Sequence, residues 1–171
     1  MSNGSRTNHI ERFLQSIEND AEIGRQVAFH TCLPERPAAY RTLGDTWHPG
    51  IERILHAKKI PRLYRHQSEA VAAIRAGHHL VVSTQTASGK TLIYNLPVLD
   101  ACLKDPDTRA LYVFPLKALA QDQLRGFRDM SRHAAAPQPT AEIYDGDTSA
   151  WRRKKIREVP PNVILTNPEM L

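Results

Sequence analysis

The sequence contains little cysteine and no long apolar run. Its two cysteines, Cys32 and Cys102, lie far apart and outside any CxxC or Cys/His spacing, which favours a reduced interior without disulfides. No apolar run approaches the roughly 18 residues that a membrane helix needs. The first residues also lack the apolar core of a signal peptide. We therefore expect a cytoplasmic protein that does not enter a membrane.

Aromatic residues are also few, at 6%, but hydrophobic residues reach 41% and charged residues 24%, as in ordinary soluble domains. A chain of 171 residues can bury roughly two-thirds of its unfolded surface, which is enough for a real core. Lysine and arginine number 23 against 18 aspartate and glutamate. This surplus suits a polyanionic partner, although many proteins that bind no nucleic acid carry a similar charge.

Helical spacing and turn residues predict three helices in the first half of the chain. Apolar residues between positions 10 and 17 predict a short amphipathic helix, and the proline-containing stretch 31–49 predicts an irregular connection. Pro49 is a favourable first residue for a second helix. A third helix is predicted over residues 65–76, where Gly77 ends it.

Four short apolar runs follow, each suited to a buried strand. They are Leu80-Val81-Val82, 110–114, 142–144 and 163–165. Helical patterns over residues 90–103 and 116–130 separate the first three runs. Strands that alternate with helices predict an α/β fold with a parallel sheet covered by helices on both faces. We expect this sheet to form the main domain, residues 49–171, after a partly helical extension over residues 1–48.

The first apolar run leads into the loop Thr84-Gln85-Thr86-Ala87-Ser88-Gly89-Lys90-Thr91. A strand, a tight turn and a helix start form a ready anion site, because unpaired amides and the helix dipole face the same point. Gly89 lets the backbone approach phosphate oxygens, Lys90 would neutralise the β- and γ-phosphates, and the Thr91 hydroxyl would ligate Mg²⁺. Thr84 stands where a phosphate loop usually has glycine. A polar helix cap with an exposed lysine is the alternative interpretation.

This loop and three further segments resemble the motifs of superfamily II helicases. TQTASGKT (84–91) is similar to motif I, LYRHQ (63–67) to the adenine-recognising Q element, PLKALAQDQ (115–123) to motif Ia and TNPEML (166–171) to motif Ib. YDGDT (144–148) and YNLPVL (94–99) are similar to the DEAD/DEAH-box, RecQ-like branch. That branch carries a C-terminal zinc-binding region and works in mitomycin and crosslink repair. The resemblance covers residues 26–171 and implies the first RecA-like lobe of an ATP-dependent helicase.

The resemblance assigns nucleotide contacts to two of these segments. It implies that the loop residues Thr86 to Thr91 bind ATP and Mg²⁺, and that Lys90 and Thr91 also take part in catalysis. The Gln67 amide can donate to and accept from an adenine edge together, which would select ATP. Tyr64 would either stack on the base or support Gln67 as a buried strut.

Motifs Ia and Ib imply a site for a nucleic-acid strand, since they follow strand ends, where parallel sheets bind their ligands. The predicted contacts are Pro115, Lys117, Gly146, Thr166 and Pro168. Such contacts reach the phosphate backbone, carry no sequence readout and weaken with salt. The branch implies single-stranded or partly duplex DNA as the partner rather than RNA. The alternative for Lys117 is a solvated surface lysine, and for Gln121 it is capping or packing.

Other polar clusters have simpler explanations. The basic run 152–157 would either follow a nucleic-acid backbone or form a charged helix face anchored by Trp151 and Ile156. Asp145 and Asp147 flank a glycine, and turn chemistry explains this pattern better than a pair of catalytic acids does. Three histidines have no partners at metal-ligand spacing and are interpreted as ordinary polar residues: His48, His78 and His79.

The resemblance also places an Asp-Glu-x-His box and a second RecA-like lobe after residue 171. We therefore expect residues 1–171 alone to be inactive and poorly stable, because hydrolysis needs these parts together and an incomplete sheet has open edges. Two other classes compete with the helicase. A P-loop kinase or unrelated ATPase would need neither motif Ia nor motif Ib. A nucleic-acid-binding module with an inactive loop would not need intact Lys90 and Thr91.

Overall fold

The computed structural model describes residues 4–31, 34, 37–41, 47–134 and 136–171. The chain divides into two compact units, Met1–Pro37 and Ala38–Leu171. The first unit contains α1 (Gly4–Glu18) and a 3-10 turn (Gly24–Gln26). The helix predicted near the N-terminus is thus confirmed. Cys32 and much of the predicted irregular connection lie outside the described residues.

Two helices of the second unit begin at the predicted positions. α2 (Pro49–Ala57) starts at its proline, and the His48 ring caps it by accepting from Gly50 N at 3.1 Å. α3 (Arg65–Arg75) ends before Gly77, whose φ is +81°. His48 therefore has an ordinary capping role, as the sequence predicts.

A short antiparallel pair precedes α3, and the sequence pattern does not predict it. β1 (Tyr40–Arg41) pairs with β2 (Leu63–Tyr64). The pairing continues to the first residue of α3, because Arg65 N donates to Ala39 O at 2.7 Å. Each strand is only two residues long, so an alternation of apolar and polar residues cannot reveal it.

Three of the four predicted strands form a parallel sheet. They are β3 (Ala110–Val113), β4 (Ala141–Ile143) and β5 (Val163–Thr166), in the order β3-β5-β4. The remaining elements are α4 (Lys90–Lys104), α5 (Lys117–Ser131), α6 (Ala150–Glu158) and a 3-10 turn (Pro168–Met170). Because the strands are parallel, their carboxyl ends lie at one edge of the sheet. No helix in the described part of the chain is long and apolar enough to cross a membrane.

The hydrophobic core lies on one face of this sheet. Tyr112 and Leu165, on β3 and β5, belong to the same buried cluster as Phe127 of α5. α2 and α4 contribute Ile54 and Leu96 to that cluster, and both are fully buried. Each buried side chain of this size contributes roughly 1.5–3 kcal/mol. The packing therefore fixes α4 and α5, which begin at the phosphate loop and at motif Ia, against the sheet.

The first predicted strand is wrong. Residues 80–82 form no ladder, and Val81 is 95% exposed. A strand is stable only when a neighbouring strand satisfies its backbone groups, and within the described residues no strand pairs with this run. The apolar composition of the run therefore does not by itself produce a strand.

Coverage of the second face of the sheet is confirmed only in part. Ile156 of α6 lines a shallow depression on this face together with Leu111 and Ile164. Leu111 and Val113 nevertheless remain 55% and 41% exposed. In α5, the residues of the predicted apolar face are buried only from Ala120 onward. The described helices thus cover one face of the sheet well and the other incompletely.

Candidate functional site

The predicted phosphate loop runs from Thr84 to the first turn of α4. Two of its residues, Ala87 and Gly89, have positive φ values of +62° and +76°, a conformation that glycine adopts without strain. At Gly89 a larger residue would also clash, because a Cβ there would lie 2.4 Å from Gln67 Nε2. α4 thus begins directly after a tight turn, and its unpaired N-terminal amides lie at the loop.

Lys90 folds back over the loop that precedes it. Its Nζ donates to the carbonyl oxygens of Thr84 and Gln85 at 2.9 and 2.7 Å, and to Thr84 Oγ1 at 3.2 Å. Thr84 Oγ1 and Ser88 Oγ are 2.6 Å apart and form a hydrogen bond. The threonine that stands in place of the usual glycine therefore helps to close the loop. The charge of Lys90 is held within that closed loop.

Gln67 fastens the phosphate loop to α3. It is 2% exposed, its Oε1 accepts from Tyr64 N, and its Nε2 donates to Gly89 O, both at 3.0 Å. His66 adds a second link, with Nε2 3.1 Å from Ser88 O. Nothing in the sequence singles out His66, because only the fold brings it beside the loop. The Gln67 amide is bonded to the protein through both of its polar atoms, and its adenine contact stays a prediction.

Tyr64 lies in a stack of rings at the start of α3. Its ring centroid is 5.1 Å from that of Tyr40 and 5.8 Å from that of His66, with interplanar angles of 17° and 9°. The stack supports the segment that carries Gln67, which fits the interpretation of Tyr64 as a strut. Tyr64 is also 41% exposed, so part of the residue is open to solvent. Both alternatives for Tyr64 stay predictions.

The second predicted group of residues lies at the carboxyl edge of the parallel sheet. Thr166 O accepts from Phe114 N at 2.9 Å, and Thr166 Oγ1 donates to Tyr144 O at 2.6 Å, so the three strand ends are tied together. Lys117 Nζ lies 3.8 Å from the position of a Cβ on Gly146. The predicted strand contacts that share this edge are Pro115, Lys117, Gly146, Thr166 and Pro168.

Lys117 is paired with an acidic residue rather than standing alone in solvent. Its Nζ is 2.8 Å from Asp147 Oδ2, and this hydrogen bond raises the pKa of the Lys117 amine. Asp145 is buried, and its Oδ1 accepts from Asp147 N and Thr148 Oγ1 at 3.0 Å each. Turn chemistry therefore explains Asp145, whereas Asp147 faces the predicted strand-binding lysine. A cavity of about 550 Å³ opens beside the pair and is also lined by Gln121.

The basic run of α6 mainly holds that helix in place. Its three arginines bond to the neighbouring strand and loop: Arg152 with Glu142 Oε2 at 2.5 Å, Arg153 with Asp145 O at 2.8 Å, and Arg157 with Tyr144 Oη at 2.9 Å. Ile156 is buried as predicted, but Trp151 is 71% exposed, so its predicted anchoring role is wrong. Residues five positions apart point to different sides of an α-helix, which is why both cannot face the core.

Comparison with known proteins agrees with these motifs. The DEAD/DEAH box helicase family matches residues 64–171. The ATP-dependent helicase HRQ1 of Saccharomyces cerevisiae is 33% identical over 171 residues, which cover 99% of this chain and 16% of that protein. The uncharacterized ATP-dependent helicase YprA of Bacillus subtilis is 40% identical over 145 residues, which cover 85% of this chain and 19% of that protein.

A solved structure has the same fold. The crystal structure of the helicase MrfA bound to DNA and AMPPNP matches with a TM-score of 0.75 and 40% identity, over 79% of this chain and 19% of that chain. The chain spans 16% of the length of its HRQ1 relatives from two yeasts. The RecA-like α/β fold, the order of the motifs and the family match agree, and the chain belongs to the DEAD/DEAH box helicase family.

Proposed function

We propose that the chain is the ATP-binding part of an ATP-dependent helicase or translocase. The observation that carries this proposal is the loop 84–91, which closes on Lys90 and starts α4 from a left-handed Gly89. An ordinary polar helix cap would leave its lysine in solvent and would not need a buried Gln67 on the loop backbone. The family match supports the same conclusion.

The residues of the loop fit ATP with Mg²⁺. The N-terminal amides of α4 and the Lys90 ammonium supply positive charge, and the Thr91 hydroxyl is the kind of oxygen ligand that Mg²⁺ prefers. When bound, ATP with its metal supplies the phosphoryl group whose transfer drives the motor. In this chain Lys90 and Thr91 would hold the phosphates and the metal. The further nucleotide contacts that we propose are Tyr64, Gln67, Thr86, Ala87, Ser88 and Gly89.

A nucleic-acid strand would bind at the carboxyl edge of the sheet. Lys117 offers a cation there, and Thr166 lies at the end of β5, where its hydroxyl would have to leave Tyr144 O to donate to a phosphate. Pro115, Gly146 and Pro168 keep the adjoining turns close to this edge, where backbone amides can meet phosphates. DNA is the proposed partner rather than RNA, because the MrfA structures that this chain resembles are described as bound to DNA.

A narrower placement of the protein is also proposed. The phrases YDGDT and YNLPVL support the RecQ-like branch that carries a C-terminal zinc-binding region and acts in mitomycin and crosslink repair. The proposed organisation is a partly helical extension over residues 1–48, followed by the ATP-binding lobe over residues 49–171. The cytoplasm is the proposed location.

ATP hydrolysis by the full-length protein, with and without single-stranded DNA, tests the proposed function. We expect DNA to stimulate hydrolysis, and Lys90→Ala to abolish turnover while DNA binding stays measurable. Lys154→Ala is the matched control, since this lysine is 71% exposed and 3.8 Å from Glu158, far in sequence from the loop. The control should keep its turnover. A wild-type protein without affinity for Mg-ATP would refute the proposal.

A further inference from the structure

A side-chain hydrogen bond joins the two helices that begin at the candidate sites. α4 starts with Lys90 and Thr91 at the phosphate loop, and α5 starts with Lys117 at the proposed strand site. The Tyr94 hydroxyl of α4 donates to Gln123 Oε1 of α5 at 2.6 Å. The two helices that begin at the candidate sites are therefore joined by a polar contact that the proposed function does not use.

Tyr94 lies near the start of α4, close to the phosphate loop along the chain. Thr91 lies three residues before Tyr94, so the two side chains lie on one face of the helix. Because α4 is one continuous helix from Lys90 to Lys104, a shift of its loop end would move the Tyr94 hydroxyl as well.

Aromatic neighbours fix the position of this hydroxyl. The Tyr94 ring meets Tyr112 edge to face, with ring centroids 5.2 Å apart. Tyr112 is buried and meets Phe127 of α5 in the same way at 6.3 Å. Hydrogen bonds weaken steeply when donor and acceptor lose alignment. A displacement of the first turn of α4 would therefore alter the bond between Tyr94 and Gln123.

We propose that Tyr94 is a positioning residue that couples the phosphate loop to the strand-binding end of α5 through the hydrogen bond from its hydroxyl to Gln123. This inference rests on the proposed function, because the coupling joins ATP use to DNA binding. The connection is physical and contiguous: a side chain in the loop's own helix, a hydrogen bond, and a second rigid helix. Tyr94 orients α5 relative to the start of α4, and it does not itself touch the reacting atoms.

Stimulation of ATP hydrolysis by single-stranded DNA in the full-length protein measures this coupling. Tyr94→Phe removes the hydroxyl but keeps the ring, and Gln123→Leu removes the acceptor. We expect each variant to lower the ratio of stimulated to basal rate by about 5-fold or more, the lower range of typical couplings between sites.

Two further variants separate coupling from general stability. Tyr112→Phe removes a comparable buried bond, since the Tyr112 hydroxyl donates to Asn95 Oδ1 at 2.9 Å without involving Thr91 or Gln123. This control should keep the wild-type ratio. Gln123→Glu keeps an oxygen acceptor for Tyr94 and should retain most of the stimulation that Gln123→Leu loses.

The outcomes distinguish this inference from the proposed function. If DNA stimulates the wild type and both Tyr94→Phe and Gln123→Leu keep the same ratio, the coupling is refuted while the helicase proposal stands. An equal loss in Tyr112→Phe would also refute it, since any core hydrogen bond would then have the same effect. A wild-type protein that DNA does not stimulate would overturn the proposed function itself.

Discussion

The two candidate sites are held in place by different parts of the molecule. The strand-end loops follow paired strands, and backbone bonds such as Phe114 N to Thr166 O at 2.9 Å tie them together. The phosphate loop instead follows residues 80–82, which pair with no described strand. Its position depends on the side chains of Gln67 and His66 from α3. A loop without a paired strand before it can thus be fixed by side chains from a neighbouring helix.

The largest effect is expected where α3 and the phosphate loop meet. Gly89→Ala would place a Cβ 2.4 Å from Gln67 Nε2, at a φ of +76°. We expect the affinity for Mg-ATP to fall by about 100-fold or more, since backbone strain alone costs about 1–3 kcal/mol before the clash is counted. Equilibrium binding of a fluorescent ATP analogue to the full-length protein measures this loss.

Gly77→Ala is the matched control for that substitution. Gly77 has a φ of +81°, but no atom lies within 4 Å of a Cβ placed there. It therefore reproduces the strain without the clash and lies outside the loop. An equal loss of nucleotide affinity in both variants would show that the contact between Gly89 and Gln67 is not what matters.

A paired and an unpaired apolar run should differ in what they contribute to stability. Val163 of β5 is 0% exposed, and Val163→Ala should lower the free energy of unfolding by about 2 kcal/mol. Val81 is 95% exposed, and Val81→Ala should change it by less than about 0.5 kcal/mol. Urea denaturation of the 171-residue chain compares them, in sucrose to offset the low stability that we expect of this chain. Similar losses at the two positions would mean that the run 80–82 is covered after all.

One substitution can remove the hydrogen bond from Gln67 to the loop and keep the one that Gln67 accepts from Tyr64 N. Gln67→Glu keeps the oxygen that accepts from Tyr64 N but loses the donor to Gly89 O. We expect nucleotide affinity to fall by about 10-fold, because an unsatisfied or repelled carbonyl costs about 1–3 kcal/mol. Hydrogen exchange should become faster in the loop 84–89 and stay unchanged at the start of α3. Unchanged exchange in the loop would contradict the role of Gln67 as its fastening.

The smallest effect is expected at the strand-end site. Lys117→Ala should weaken DNA binding a few-fold and lower the slope of log affinity against log salt by about 1, as for a single phosphate contact. Asp147→Asn removes the acid that pairs with Lys117 at 2.8 Å, and it should tighten binding slightly, since exposed ion pairs contribute less than about 1 kcal/mol. Fluorescence anisotropy at several salt concentrations measures both. Weaker binding in Asp147→Asn would contradict the idea that Asp147 and a DNA phosphate compete for Lys117.

Much of the fold could be predicted from local patterns. Pro49, Gly77 and the apolar spacing of α5 gave helix positions close to those observed, because capping and amphipathicity act within a few residues. The strand prediction failed at residues 80–82, since a strand also depends on what lies beside it. The prediction for Trp151 failed for a different reason: it lies five positions from the buried Ile156, so it points to another side of α6 and faces solvent.

The sequence named candidate residues for the site, but not the hydrogen bonds and ion pairs that join them to other residues. The motif pattern named Gln67, Lys90 and Lys117. The structure places Gln67 and Lys90 at the loop 84–91 and Lys117 at the start of α5, and their ligand contacts stay predictions. The motif pattern could not show that Gln67 bonds to the Gly89 carbonyl or that Lys117 pairs with Asp147. These contacts join residues 22 and 30 positions apart, and no local spacing encodes them.

The sequence by itself determined the α/β class, the positions of the principal helices and the chemistry available at the loop 84–91. These properties depend on side chains close together along the chain. Tertiary structure alone decided which apolar runs became strands, that His66 and Gln67 hold the phosphate loop, and that Tyr94 bridges α4 and α5. Hydrogen bonds and burial between distant segments depend on packing geometry, which a linear pattern does not specify.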